Sequence, residues 1–269
     1  MVMVVAILVF FAASLAANAQ AIPNHFDPSA RADTTGSSAV PSIRFLTTDD
    51  FPPFNYRSSN GELVGFHVDL ARAICRLLDA ACTIQVWPFK QAGDALADNQ
   101  GDVLLAGLAI DEKNGARFDF SQIYLMFPAR FVTRLPDVAG FDANTLEQRV
   151  IAVRKGSNQA LFASRYLKGI KPAPFKTEIE ALDAVASGAA YAYFGDAMRA
   201  SFWLNDNSDC CNFAGTAYFR PDLFGQGLAA AFPAGQNAVR RAFNSALVRL
   251  KRSGELDEIY LRWFPVSFY

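Results

Sequence analysis

An α/β protein of two lobes is what this sequence predicts, on three observations. Short apolar runs of strand character alternate with amphipathic helical stretches, the order that builds mostly parallel sheets covered by helices. The alternation starts over near residue 150, so two such units lie in series. Of the 269 residues, 52% are hydrophobic and 19% charged, enough to bury a sizeable core and too ordered a composition for a disordered chain.

The elements follow in order. Ile43-Arg44-Phe45-Leu46 is a short strand, followed by a Pro52-Pro53 turn and a Ser-Ser-Asn-Gly turn at 58–61. Residues 68–78 place Leu70, Ala71, Ile74, Leu77 and Leu78 on one helical face. A strand at 83–87, a short helix at 92–97 and a fully apolar run at 103–108, suited to a buried parallel strand, complete the first unit. Phe131-Val132-Thr133 begins another strand. The second unit has a strand at 150–153, a helix opening at Gly156-Ser157-Asn158 and running to about Leu167, a helix at 179–186 and a strand at 190–194. Asp196 begins a helix to about Leu204, and residues 205–216 are predicted as a loop. Residues 225–232 are glycine-rich and then strand-like, and helices at 239–250 and 256–263 close the chain. Ligands of open α/β sheets sit beyond the carboxyl ends of the strands, so a cleft between two such lobes is a natural small-molecule site.

The N-terminus stands apart. Residues 2–17 are almost purely apolar, and Ala17-Asn18-Ala19 or Ala19-Gln20-Ala21 offers a small-residue cleavage site, which together predict a signal peptide over 1–21. The run is short for a membrane span, though no Lys or Arg precedes it, and the competing expectation is an uncleaved anchor. Residues 22–40, rich in Pro, Ser, Ala, Asp and Thr without periodicity, are expected to be a flexible mature N-terminus. The net charge is −1, with both signs spread along the chain, so neither a nucleic-acid footprint nor a polybasic membrane patch is present.

Export would put the four cysteines in an oxidising compartment. Cys75 and Cys82 lie seven apart, at the end of a predicted helix and the start of a predicted strand, where a bridge would close a short loop. Cys210 and Cys211 are adjacent, and both a vicinal disulfide and two free thiols are open to them. His25 and His67 are not placed to complete a zinc site with either pair.

Four segments carry a family resemblance: Asp50-Phe51-Pro52-Pro53-Phe54; the run from Asn60 to Ala71, similar to N-G-x-L-V-G-F-D-V-D-L-A with His67 in place of an Asp; Phe118-Asp119-Phe120-Ser121; and Gly254-Glu255-Leu256-Asp257-Glu258-Ile259-Tyr260 with Trp263-Phe264. Over residues 43–264 the chain resembles the extracytoplasmic solute-binding proteins of polar amino-acid ABC transporters, family 3. The spacing of Cys75 and Cys82, and Phe224-Gly225-Gln226-Gly227, resemble the lysine/arginine/ornithine- and histidine-binding branch. The resemblance implies a type II periplasmic-binding-protein fold with a ligand cleft and a two-strand hinge. It places lobe one at 41–125 plus 227–269 and lobe two at 126–226, with a Cys75–Cys82 disulfide.

It also implies a ligand site. Phe51 and Phe89 fall where the family grips the ligand's aliphatic part, by contact area and cation–π attraction. Asp196 stands where a carboxylate meets the ligand's ammonium, and it is also a favoured helix N-cap. The family's carboxylate-binding G-x-[ST]-[IV]-T-x-x-R is here Gly107-Leu108-Ala109-Ile110-Asp111-Glu112-Lys113-Asn114, so Ala109 replaces the hydroxyl and Asn114 the arginine. Losing a bidentate arginine removes both energy and geometry. Lys113 or Arg117 is a candidate substitute, Arg117 by sharing the helix face of Asn114. Ser157 and Asn158 retain backbone donors at a helix start, with Arg154 just before them, and Thr48 takes the place where cationic amino-acid binders often carry an acid.

The expected role is a monomeric periplasmic binding protein that closes on a small polar ligand and docks on a membrane permease, with no chemistry, cofactor or nucleic-acid partner. No Ser-His-Asp constellation, metal cluster or phosphate loop is legible, and Gly225-Gln226-Gly227 belongs to the hinge pattern. The alternatives are a cyclohexadienyl dehydratase-like enzyme on the same fold and a ligand-sensing subunit.

Overall fold

The structure, a computed structural model, describes residues 40–269. The signal peptide and the mature N-terminus expected before residue 40 lie outside the described residues.

The first half of the chain runs β1 (Ser42–Thr47), β2 (Asp50–Phe51), β3 (Asn55–Arg57), β4 (Leu63–Val64), α1 (Phe66–Leu78), β5 (Ala81–Val86), α2 (Phe89–Ala97), β6 (Val103–Leu105), α3 (Glu112–Gly115) and β7 (Phe118–Phe120). Then come β8 (Ala129–Arg134), α4 (Leu135–Val138), β9 (Val150–Arg154), α5 (Asn158–Tyr166), β10 (Lys171–Phe175), α6 (Glu178–Ala186), β11 (Ala192–Asp196), α7 (Ala197–Asp206), β12 (Cys211–Tyr218) and α8 (Pro221–Phe224). The chain returns through β13 (Ala231–Pro233), α9 (Asn237–Ser253) and α10 (Glu255–Trp263).

Two five-stranded sheets organise two lobes. The first has the order β5-β1-β6-β13-β7, with β5, β1 and β6 parallel; the second has the order β10-β9-β11-β8-β12, with β10, β9 and β11 parallel. In lobe one, α1, α9 and α10 pack together on one side, burying Phe66, Ile74, Phe243, Leu250 and Phe264. Each large apolar side chain fully removed from water contributes about 2–3 kcal/mol. The helix starts are set locally. Gly65, just before α1, has φ 136°, and a Cβ there would lie 2.2 Å from the carbonyl oxygen of Phe54, so only glycine allows the approach. Asp69, in the first turn of α1, accepts from Arg262 Nη1 and Trp263 Nε1, both at 2.9 Å, which pins the last helix to the first.

The lobes meet where the chain crosses twice. Leu125 and Leu228 form an antiparallel bridge, and Leu228 N–H donates to Leu125 C=O at 2.7 Å. A Cβ on Gly227 would lie 2.4 Å from that same carbonyl, so the close pairing of the two crossing segments requires glycine. Aromatic contacts cross beside it: the Phe54 and Phe127 rings are 6.1 Å apart, and so are those of Phe202 and Phe264. No helix among the described residues is long and apolar enough to cross a membrane.

Where the elements differ from expectation, the sheet edge explains it. Residues 205–216 are not all loop, because β12 begins at Cys211 and forms one edge of the second sheet. The other edge, β10, carries Pro172 and Pro174, which argue against a strand unless one side of it faces away from the ladder. The parallel strand expected over 103–108 ends at Leu105, since Gly107 turns with φ +70°. Both cysteine pairs are bonded: Cys75 to Cys82 between α1 and β5, and Cys210 to Cys211 at the start of β12.

Candidate functional site

In lobe one the strand ends carry a closed chain of buried polar groups. Asn55 Nδ2 donates to both the Thr48 hydroxyl (2.6 Å) and the Thr48 carbonyl (3.1 Å). Asn55 Oδ1 lies 2.7 Å from His67 Nδ1, and His67 Nε2 lies 2.9 Å from the Tyr124 hydroxyl. A carboxamide oxygen only accepts, so His67 carries its proton on Nδ1 and accepts from Tyr124 at Nε2. Burial pushes the His67 pKa from 6.5 down to about 3, which keeps the ring neutral, and pushes the Tyr124 phenol up. Thr48 is therefore occupied internally.

The remaining lobe-one candidates surround this chain. Phe51 stacks on Phe54 at 4.7 Å, and its ring lies over Gly107, where a Cβ would come within 2.9 Å of it. Phe89, the first residue of α2, stands half-exposed. Asn114 is spent on its own loop: its N–H bonds Asp111 Oδ1 (2.8 Å) and its side-chain amide donates to the Ala109 carbonyl (2.9 Å). Lys113 is exposed. Arg117 does not share a helix face with Asn114, because α3 ends at Gly115; it pairs instead with Asp94 at 2.7 Å and lies over the Phe118 ring. The reason is length, since a four-residue helix has no second turn to carry a residue onto the same face.

In lobe two the candidates gather at the carboxyl ends of β9 and β11. Ser157 caps α5 by accepting from Ala160 N–H (3.0 Å) and donates to the Arg154 carbonyl (2.9 Å). Asn158 turns away, its amide donating to Leu223 C=O at 2.7 Å. Asp196 caps α7 through Arg199 N–H at 2.9 Å, and burial raises its carboxyl against the pull of that bond and of the Arg199 charge. Alternation along β9 puts Ile151 and Val153 in the core beneath α5, and Ala152 in the core beneath α6 and α7. Arg154 follows Ala152 onto that second face and lines a cavity of about 580 Å³ with Lys176, Glu178, Arg199, Phe202 and Trp203.

Glu178, Arg199 and Tyr193 are functional candidates the sequence reading missed. Glu178 Oε2 lies 3.5 Å from Arg199 Nη1, and burial raises its carboxyl more than that arginine lowers it. Tyr193 is fully buried, with its phenol raised by burial and by the nearby Glu178 and Asp196 carboxylates. A signal for the acid was present: Thr177 and Glu180 form a capping box, Thr177 accepting from Glu180 N–H and Glu180 from Lys176 N–H, both at 3.1 Å. That T-x-x-E pattern fixes the start of α6 and so puts Glu178 at the same strand ends as Asp196.

Comparisons with known proteins agree with this architecture. A family model, "Bacterial extracellular solute-binding proteins, family 3", matches residues 43–266. The chain is similar to the arginine-binding periplasmic protein of Mannheimia haemolytica, 28% identical over 213 residues that cover 79% of this chain and 87% of that protein. It is similar to the histidine-binding periplasmic protein of Escherichia coli (strain K12), 25% identical over 241 residues, 88% of this chain and 93% of that one. Among solved structures, an ancestral cyclohexadienyl dehydratase superposes with a TM-score of 0.72 at 23% identity, over 84% of this chain and 93% of that one, a likeness of fold.

Proposed function

The chain belongs to family 3 of the bacterial extracellular solute-binding proteins, and from that premise we propose that it takes an amino acid or amino-acid-like solute into the cleft between its lobes and delivers it to the membrane permease of an ABC transporter. The observation that carries the ligand class is Asp196. It is a carboxylate held at the end of β11 by its own helix cap, with the Arg154 charge close enough to pull against its raised pKa. Groups of both signs at one set of strand ends suit a zwitterion. The names of the relatives, arginine- and histidine-binding, support an amino acid.

In this reading lobe one spans 41–125 with 227–269, lobe two spans 126–226, and the crossings at 125 and 228 are the hinge. Phe51, Phe89, Gly107 and Ala109 form the lobe-one wall, with Thr48 and Asn114 bonded behind it, and Arg154, Ser157 and Asp196 form the lobe-two wall, with Asn158 bonded to Leu223. A ligand that touches both walls favours the closed state by its differential affinity for it. The protein is exported with residues 1–21 removed and acts as a periplasmic monomer. Binding accounts for the site without a reaction, so the dehydratase likeness is one of fold.

The test is a thermal-shift and calorimetric screen of refolded, ligand-free protein against amino acids, amines, opine-like conjugates and prephenate. A true ligand at a hundred times its Kd stabilises by about 2.7 kcal/mol. Asp196→Asn, which keeps the cap and removes the charge, is expected to weaken an amino-acid hit by roughly tenfold or more without lowering the stability of the free protein. Unchanged affinity removes Asp196 from the site, and turnover of prephenate overturns the binding role in favour of an enzyme.

A further inference from the structure

Lobe two holds a cation that nothing among the described residues neutralises by contact. Arg154 Nε is buried without a hydrogen-bond partner among the described residues. Its charge acts on Glu178 and Asp196, yet among the described residues it forms no ion pair within 4 Å, because Glu178 is taken by Arg199 and Asp196 by the cap of α7. A second orphan lies beneath it. The Tyr193 hydroxyl is buried and has no hydrogen-bond partner among the described residues, and the groups that act on it are Glu178, Asp196, Arg154 and Arg199. Two unsatisfied donors on one face of the sheet, Arg154 in the lining of a cavity of about 580 Å³ and Tyr193 fully buried outside that lining, are a costly arrangement for a protein that leaves them empty. They suit a group with several acceptor oxygens and a negative charge.

Lobe one has nothing comparable to offer. Asn114 is bonded within its own loop, Arg117 is paired with Asp94, and the Thr48 hydroxyl is bonded to Asn55. Resting on the amino-acid reading above, we propose that the ligand's carboxylate enters the lobe-two cavity and is held there by Arg154 and Tyr193, with the ligand's ammonium against Asp196 and its side chain running along Phe202 and Trp203. The anion pole of the site is then in lobe two. Arg154 and Asp196 end neighbouring parallel strands, a spacing that matches the short span between the two charged ends of an α-amino acid. The cavity exceeds what a carboxylate needs, and its aromatic flank takes the rest.

The experiment titrates wild-type protein, Arg154→Gln, Arg154→Lys and Tyr193→Phe by calorimetry against the common amino acids and their decarboxylated amines, with benzoate as a carboxylate lacking an amine. Wild-type protein is expected to bind its amino acid roughly 30-fold or more tighter than the matching amine. Arg154→Gln should bring the amino acid down to the amine's affinity while leaving the amine within about twofold. Arg154→Lys, which keeps the charge without the planar fork, should lose part of the affinity. Tyr193→Phe should weaken the amino acid by roughly fivefold without lowering the free protein's Tm, since the hydroxyl it removes has no partner. It also keeps the proposal testable if the arginine variants fold poorly. An amino acid bound equally by wild type, Arg154→Gln and Tyr193→Phe overturns the carboxylate pocket and leaves solute binding standing. Arg154-dependent binding of benzoate with no amino-acid binding overturns the amino-acid reading and keeps the pocket. Wild-type protein that takes neither overturns both.

Discussion

The two lobes finish their strands differently. At the end of β1, lobe one closes its polar groups on one another: Thr48, Asn55, His67 and Tyr124 form a run in which each hydrogen-bonding group named has its partner. Near the ends of β9 and β11, lobe two leaves Arg154 Nε and the Tyr193 hydroxyl without a hydrogen-bond partner among the described residues and holds two carboxylates whose pKa values burial has raised. A satisfied network rigidifies; an unsatisfied one is retained against its own cost, and a ligand is the natural partner for it. In the proposed site, lobe one is a rigid aromatic wall and lobe two the polar pole.

Acid should break lobe one first, and this is the largest expected effect. The His67 pKa falls from 6.5 to about 3 on folding, so the unfolded chain binds more protons between those values and stability is lost as pH falls through that window. The slope reaches about 1.4 kcal/mol per pH unit, giving about 3 kcal/mol between pH 7 and pH 4.5. Glu178 and Asp196 have the opposite sign: with folded pKa values raised, their contribution is gained as pH falls through them and lost as it rises. Urea melts at both pH values should show the loss shrinking by about 3 kcal/mol in His67→Gln, whatever that substitution costs at pH 7. An equal loss in variant and wild type would separate His67 from the acid response.

The disulfide sharpens the same contrast at the next scale. Cys75 and Cys82 bridge α1 to β5 inside lobe one, and replacing both with serine, which leaves the Cys210–Cys211 bond of lobe two in place, should cost about 2–3 kcal/mol by loop entropy. Ligand preference should not change, because the bridge touches neither strand-end cluster. A shifted ranking of ligands in the double serine variant would show that lobe one's scaffold reaches into recognition.

Asn114→Ala carries the smallest expected effect. It removes the bond to the Ala109 carbonyl and should lower stability by about 1 kcal/mol while changing affinity less than threefold. A tenfold loss of affinity would place the anion contact in lobe one after all and break the comparison.

Much of the fold was legible residue by residue. The 3.6-residue stripe of α1, the apolar core of β6 and the glycine at 227 each left a local mark, and the motifs from Asn60 to Ala71 and Gly254 to Phe264 fall on the two helices that Asp69 ties together. The edge strands did not. In β10, Pro172 and Pro174 speak against a strand unless its edge position is known, and in β12 the polar start at Cys211 looks like loop until β8 is laid beside it.

The site divides in the same way. Asp196 could be placed at a helix start from sequence because a cap is a local device, satisfied within three residues. That His67 is neutral, that Asn114 is used up, and that Arg154 shares a face with Tyr193 and Glu178 depend on side chains distant in sequence. Periodicities, caps and family motifs are written in neighbouring residues and are legible before the chain folds. Which polar groups are satisfied and which stand open is fixed by the fold, because hydrogen bonding and burial are settled by groups that folding alone brings together.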